Sequence, residues 1–411
     1  MRNRRMVAVL AASLTLAASL VAGCGRGEED SSSQDPGVTK DSITIGGIYP
    51  FSGPASAYGD IATGAKAYFD MVNDKGGVDG RKIEFKTVDD GYEPPKAVQA
   101  SRKLVEQDKV FALFNTLGTP SNLAIWDYTN QEKVPQVYVA TGASEFGADI
   151  KKHPYTTGWQ PNYVTEAKIY ADYLEKEKPN AKVGILYQND GFGKDLSGGF
   201  EDALKGSDVK VVAKESYEVT DPSVASQVKK LSTSGADTFL NVTTPKFSAQ
   251  AIAAVAKSDW KPLHILNNVG ASKTNVLAPV GLENAKGIVS TAYFKDPEDP
   301  EWENDAAMKE YKAQLKKSDP KANPNEPFNV YGWAAAATMT EALKGMKEPT
   351  RDALMKSVRN MDTKIPILLP GVDVKTSGET DGYPLEAMQI QQFDGKNWQL
   401  QGEVQEASAE K

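Results

Sequence analysis

The chain of 411 residues has a single cysteine, Cys24, and two histidines, His153 and His264. Beyond Cys24 no disulfide framework can form, and a cysteine nucleophile is excluded. The histidines lie far apart in sequence, and neither sits near a carboxylate cluster. A zinc or non-haem iron site needs several His, Cys, Asp or Glu ligands at short spacing, so no metal is expected. Both histidines are read as surface or core-edge residues. There is no Gly-x-Ser-x-Gly elbow and no phosphate-cradling Walker loop. Asn189-Asp-Gly-Phe-Gly has glycines in a strand-to-helix turn without dinucleotide spacing, and no cofactor is expected. Basic residues are outnumbered, 47 against 55 acidic, for a net charge of −8. Phosphate contacts need Lys/Arg clusters, so nucleic acid is excluded as a partner. Past the N-terminus no apolar run approaches the ~20 residues of a membrane helix.

What is present is ordinary for a globular protein, with 40% apolar and 25% charged residues in a length that fits two domains. The first residues differ. Arg2, Arg4 and Arg5 precede the uncharged apolar run Met6 to Ala22, which ends Leu20-Val-Ala-Gly-Cys24. Small residues directly before a cysteine form a lipobox. Residues 1–23 are therefore expected to be a signal peptide and Cys24 the lipidated residue, tethering the chain to the outer face of the cell membrane. Removing the three arginines leaves 44 basic residues against 55 acidic, a net of −11. The next residues are small, polar and charged, with nothing to bury, so 24–40 reads as lipidated cysteine plus disordered tether.

From Ser42 the pattern alternates. Strands are predicted at 43–49, 82–88, 110–114 and 136–140, separated by helices at 61–73, 96–107 and 121–131. The rhythm restarts with helices at 165–178, 194–204, 223–234 and 248–257 and strands at 182–187, 209–213, 238–242 and 263–266. Two successive βαβ runs imply two doubly wound lobes with parallel sheets. The last third is irregular, with proline-rich loops, helices at 330–344 and 351–359, and an alternating strand at 386–393. Ligands in such sheets collect beyond the C-terminal ends of strands.

Six motifs carry a resemblance. Ser52-Gly-Pro-Ala-Ser-Ala-Tyr-Gly, Gly76-Gly-Val-Asp-Gly-Arg-Lys-Ile-Glu, Asp89-Asp90, Lys133-Val-Pro and Lys182-Val-Gly-Ile-Leu-Tyr-Gln-Asn-Asp-Gly-Phe-Gly-Lys occur in order, followed by Gly235-Ala-Asp-Thr-Phe. From about residue 41 to its end the chain resembles the branched-chain amino-acid (Leu/Ile/Val) type of ABC-transporter substrate-binding protein. That family has the type I periplasmic binding protein fold. The resemblance implies two Rossmann-like lobes joined by a three-stranded hinge, 41–157 plus 290–380 and 158–289 plus 381–404, closing on a small polar solute. It further implies an extracytoplasmic, monomeric receptor that delivers its solute to ABC permease subunits and is not an enzyme.

The resemblance also implies a site. Thr119 matches the hydroxyl position that holds a ligand carboxylate at a helix N-terminus, with Ser121 as a neighbouring donor. Free N–H groups and the helix dipole there suit an anion, and plain N-capping fits the same residues. Ala140 keeps a carbonyl that the family offers to an ammonium, whereas Thr141 and Gly142 displace the hydroxyl that accompanies it. Tyr58 falls on a pocket aromatic, Phe192 on a stacking tyrosine and Thr244 on a second tyrosine. Asn268 stands where amino-acid binders place a glutamate, which weakens discrimination for a zwitterion and opens the pocket to an amide or carboxylate. Glu166 is a substitute acid or a helix-dipole residue. Trp159, Tyr163, Tyr331 and Trp333 fall near the crossings as core aromatics or pocket walls; Trp159 and Tyr331 are carried as wall candidates. A sensor of the same fold with a membrane signalling partner is the alternative; an amidase is disfavoured by the missing nucleophile–base pair.

Overall fold

The computed structural model describes residues 35–378 and 382–406. Cys24 and the signal segment lie outside them. The first sheet has the order β2-β1-β3-β4-β5, comprising β1 (Ser42–Tyr49), β2 (Lys82–Asp89), β3 (Ala112–Phe114), β4 (Gln136–Val139) and β5 (Thr156–Gly158). All its pairings are parallel. Strands β3 and β4 are buried on both faces, which is why β3 reads as an unbroken apolar run rather than an alternating one. Helices α1 (Asp60–Asp74), α2 (Pro94–Arg102), α3 (Thr119–Gln131) and the short α4 (Glu145–Ala148) connect them.

The second sheet contains β6 (Lys182–Gln188), β7 (Lys210–Tyr217), β8 (Thr238–Val242), β9 (Leu263–Leu266) and β10 (Val289–Ala292). It is continued by β13 (Ala387–Phe393) and β14 (Trp398–Glu406), in the order β14-β13-β10-β9-β8-β6-β7. The last two strands run antiparallel. Helices α5 (Tyr163–Glu177), α6 (Gly191–Ala203), α7 (Ala225–Ser232), α8 (Pro245–Ala256) and the single turn α9 (Ala278–Val280) belong to this half. After β10 the chain returns to the first half as α10 (Ala306–Ser318), α11 (Pro327–Lys344) and α12 (Arg351–Val358). A two-residue antiparallel pair, β11 (Asp362–Thr363) with β12 (Val374–Lys375), follows before β13. The chain thus passes between the sheets three times.

Helices α1 and α11 cross at backbone contact distance. A Cβ on Gly64 would run into the carbonyl oxygen of Asn329, and one on Gly332 into that of Ile61. Reciprocal glycines allow this approach, which fixes where the N-terminal turn of α11 stands. Residues 35–40, the end of the expected tether, are held rather than free. Val38 bridges Ile43, Thr44 N–H donates to the Gly37 carbonyl, and Arg351 N–H donates to Asp35 Oδ2 at 2.6 Å. Among the described residues no helix is long and apolar enough to cross a membrane.

Candidate ligand cleft

One wall grows from the turn between β3 and α3. Gly118 takes φ 96° there, and a Cβ on it would press into the Tyr92 ring. Only glycine adopts that geometry freely. Thr119 and Ser121 lie in the first turn of α3, where amides lack partners within the helix, and Pro120 between them has no N–H to leave unpaired. Thr119 Oγ1 lies 2.6 Å from Thr141 Oγ1, and the Ala140 carbonyl accepts the Gly118 N–H at 3.1 Å. Tyr92 joins this wall in the left-handed region, φ 65°, where its N–H donates to Asp90 Oδ1 at 2.9 Å. Strain held by a local hydrogen bond is common at functional sites.

The facing wall is built by strand ends of the second sheet. Asp190 caps α6 by accepting the Gly193 N–H, which presents Phe192 against Tyr163 with ring centroids 4.9 Å apart. Thr244 precedes α8, and its hydroxyl donates to Gln188 Oε1 at 3.2 Å. Asn268 follows β9. Its N–H donates to Glu166 Oε1 at 2.6 Å and its Nδ2 to the Thr291 carbonyl at 2.5 Å. Tyr331 donates to Gln160 Oε1 at 3.0 Å from α11. The two walls touch: Tyr58 OH donates to the Val269 carbonyl at 3.0 Å, and Ser144 N–H donates to Asp195 Oδ2 at 2.8 Å. The space between them is about 920 Å³, part of it open to solvent.

Tyr58, Thr119, Ala140, Phe192, Thr244, Asn268 and Tyr331 all line this one cleft. The other candidates stand behind it. Ser121 donates to Asp90 Oδ2 at 2.6 Å, because two residues along a helix turn the side chain about 200° away from Thr119. Thr141 serves Thr119 and accepts the Ala143 N–H rather than facing the space. Gly142 packs against Pro161 and Tyr163. Trp159 is a core residue whose indole donates to Thr338 Oγ1 at 2.9 Å. The sequence reading missed Tyr92, Tyr293, Asp296 and Phe328 as wall residues. Tyr92 follows the C-terminal end of β2, where the strand-end rule would have found it; Tyr293 and Asp296 follow β10, a strand the sequence reading did not predict.

The two histidines are buried, contrary to the surface or core-edge expectation. His153 stacks on Trp126 at 3.7 Å and is hydrogen-bonded to Asp127 and Asp149. Burial pushes His264 down to about 3, so it stays neutral. Among the described residues no group of three or more His, Cys, Asp or Glu could hold a metal.

Glu166 stands in the first turn of α5, but it is buried and works as a prop for Asn268 rather than as an exposed dipole partner. Burial, opposed by hydrogen bonds from Asn268 N–H and Tyr170 OH, pushes its carboxyl up to about 7. The folded chain therefore holds this proton more readily than the unfolded chain does. Its contribution to stability is full below the ordinary carboxylate range and is lost as pH rises towards 7. Glu166→Gln should make stability less dependent on pH and raise it above pH 7 by up to about 3 kcal/mol. Urea unfolding at pH 5 and pH 8 checks this; an equal difference between variant and wild type at both would contradict it.

Two sheets with crossings between them, and a cleft at the strand ends, define a two-lobed binding fold. The chain belongs to the periplasmic binding protein family, whose model matches residues 42–397. Its fold is the type I periplasmic binding protein fold. It is 26% identical over 261 residues to a Leu/Ile/Val-binding protein homolog 7 from Brucella suis, a match covering 62% of this chain and 64% of that relative. The matched stretch thus spans less than two thirds of the relative's length. A branched-chain amino acid ABC transporter structure from Thermus thermophilus with bound valine is similar at TM-score 0.80 and 15% identity, over 90% of this chain and 98% of that one. A solute-binding protein of an ABC transporter from R. palustris, in complex with 4-hydroxybenzoate, is similar at TM-score 0.76 and 18% identity, over 89% and 97%.

Proposed function

We propose that the protein is the lipid-anchored receptor of an ABC importer, capturing a small solute in this cleft and handing it to permease subunits in the membrane. The lobes are 41–157 with 290–380 and 158–289 with 381–404, and Cys24 carries the anchor. One observation carries the reading. Thr119, at an open helix N-terminus from the first sheet, shares a cleft with Phe192, Thr244 and Asn268 from the second. A polar or anionic end of the solute meets Thr119 and the α3 amides, where the helix dipole favours negative charge. The body lies among Tyr58, Tyr92, Tyr163, Phe192, Tyr293 and Phe328, so it has more apolar or aromatic surface than the sequence alone suggested. The valine and 4-hydroxybenzoate bound by the two similar structures have this two-part character.

Glutamate is absent at 268, and the Asn268 amide is already spent on Thr291. A solute with an ammonium next to its carboxylate therefore finds no acid at that position. Thr119→Ala combined with Tyr58→Phe removes one hydroxyl at the helix end and one across the cleft. Affinity for the solute should fall about tenfold to a hundredfold, while the melting temperature of the empty protein stays within a few degrees. Calorimetry and a thermal melt measure both, and unchanged affinity would remove the cleft from the account.

A further inference from the structure

The charged side chains on the cleft wall are Lys273 and Asp296. They are not equally free. Lys273 Nζ lies 3.2 Å from Glu298 Oε2 and donates to Asn397 Oδ1 at 3.1 Å, so its charge is answered. Asp296 Oδ1 accepts the Glu298 N–H at 2.8 Å. Among the described residues no cation lies within salt-bridge distance of its carboxylate. The neighbouring Lys295 turns away to Asp305 and to the Pro366 carbonyl, at 2.7 and 2.8 Å. Lys273 and Glu298 cancel, and one negative charge remains facing the cleft. Beside it Tyr293, Phe294 and Trp398 line the same space. Aromatic faces next to a carboxylate are a setting that attracts organic cations, methylated ones included. Such a charge is costly to leave uncompensated in a partly dry site.

We propose that the solute carries a cationic nitrogen on its apolar body and that Asp296 receives it. The inference rests on the cleft reading given above. It moves the cation partner from position 268, where the Leu/Ile/Val type has a glutamate, to the segment after β10. The ligand class becomes an alkyl- or arylammonium with a polar or anionic second end. Burial pushes the Asp296 carboxyl up to about 6, and Glu298 and Asp299 add to that push while Lys273 opposes it. Capture of a cation therefore strengthens as pH rises through 6 and weakens below it, because only the ionised carboxylate pairs with the ammonium.

Matched probes test this by calorimetry: 4-(aminomethyl)benzoate against 4-ethylbenzoate, and 5-aminopentanoate against hexanoate. In each pair the amino compound should bind at least about tenfold tighter. In Asp296→Asn the preference should shrink to within about twofold, with a melting temperature at pH 7.5 no lower than that of wild type because the buried charge is removed, and Asp296→Glu should restore part of it. The preference of the wild type should also fall between pH 7.5 and pH 5. If the methyl compounds bind as well as the amino compounds, or the preference survives in Asp296→Asn, the assignment of Asp296 is wrong. Binding of the methyl compounds that Thr119→Ala abolishes would, in that case, leave the cleft reading intact. If no member of either pair binds or stabilises the protein, both readings fall.

Discussion

Gly332→Ala should destabilise the protein by about 3 kcal/mol and weaken solute binding with it. A methyl group there would collide with the Ile61 carbonyl oxygen of α1, a backbone atom that cannot swing aside. The reciprocal Gly64→Ala would strike the Asn329 carbonyl oxygen, with the same outcome. Helix α11 is buried along most of its length, including Ala334, Ala335, Ala336 and Ala337, so it has no open side to move towards. Interiors are packed to crystal density, and a forced separation of two helices propagates rather than dissipating. Ile61, Phe328 and Tyr331 ride on these helices and line the cleft, so affinity should drop together with stability. Urea unfolding and calorimetry on both variants check the pair. Stability within 0.5 kcal/mol of wild type, roughly the size of a neutral surface change, would show that the helices are not in the contact described.

Glu326→Ala should weaken binding by about ten- to a hundredfold without touching the solute. Glu326 caps α11 by accepting the Phe328 N–H, and its carboxylate also takes hydrogen bonds from the Ser272 and Thr274 hydroxyls beyond β9. It therefore fastens the first half of the molecule to the second beside the cleft, yet does not line it. Burial pushes this carboxyl up to about 7, and hydrogen bonds to it contribute about 0.5–3 kcal/mol each, most when it is ionised. Losing them lowers the fraction of molecules with the walls together, and the apparent Kd rises as that fraction falls. Thr274→Val should give a smaller effect in the same direction. Small-angle scattering of the empty variant should report a larger radius of gyration than wild type, and saturating solute should restore the compact value. Full affinity with no change in radius would show that this carboxylate only caps its helix.

The alternation of strands and helices was legible because parallel strands buried on both faces are continuous apolar runs. Val110 to Phe114 is an example. Helix starts were read late where capping, not periodicity, sets them. Helix α6 begins at Gly191 under the Asp190 cap rather than at Lys194. Helix α10 escaped notice among proline-rich loops because charged residues dominate it. Its buried Met308, Tyr311 and Leu315 do keep helical spacing, and Asp305 caps it by accepting the Met308 N–H. Wall residues at strand ends, such as Thr119, Phe192 and Asn268, could be placed because topology alone puts them there. Ser121 and Trp159 could not be judged, since helix phase and the Thr338 hydroxyl decide where they point. Asp296 and Tyr293 lie in the irregular last third, where neither the period nor the family motifs guided the eye.

The most direct test of the central claim is a thermal-shift screen of the protein against amino acids, amides, short carboxylates and amino-carboxylates. A solute a hundredfold above its Kd adds about 2.7 kcal/mol to stability. The account predicts such stabilisation by a solute with a polar end and an apolar or aromatic body, and its loss when Thr119→Ala is combined with Tyr58→Phe. Stabilisation that persists undiminished in that double variant would mean that the solute binds elsewhere.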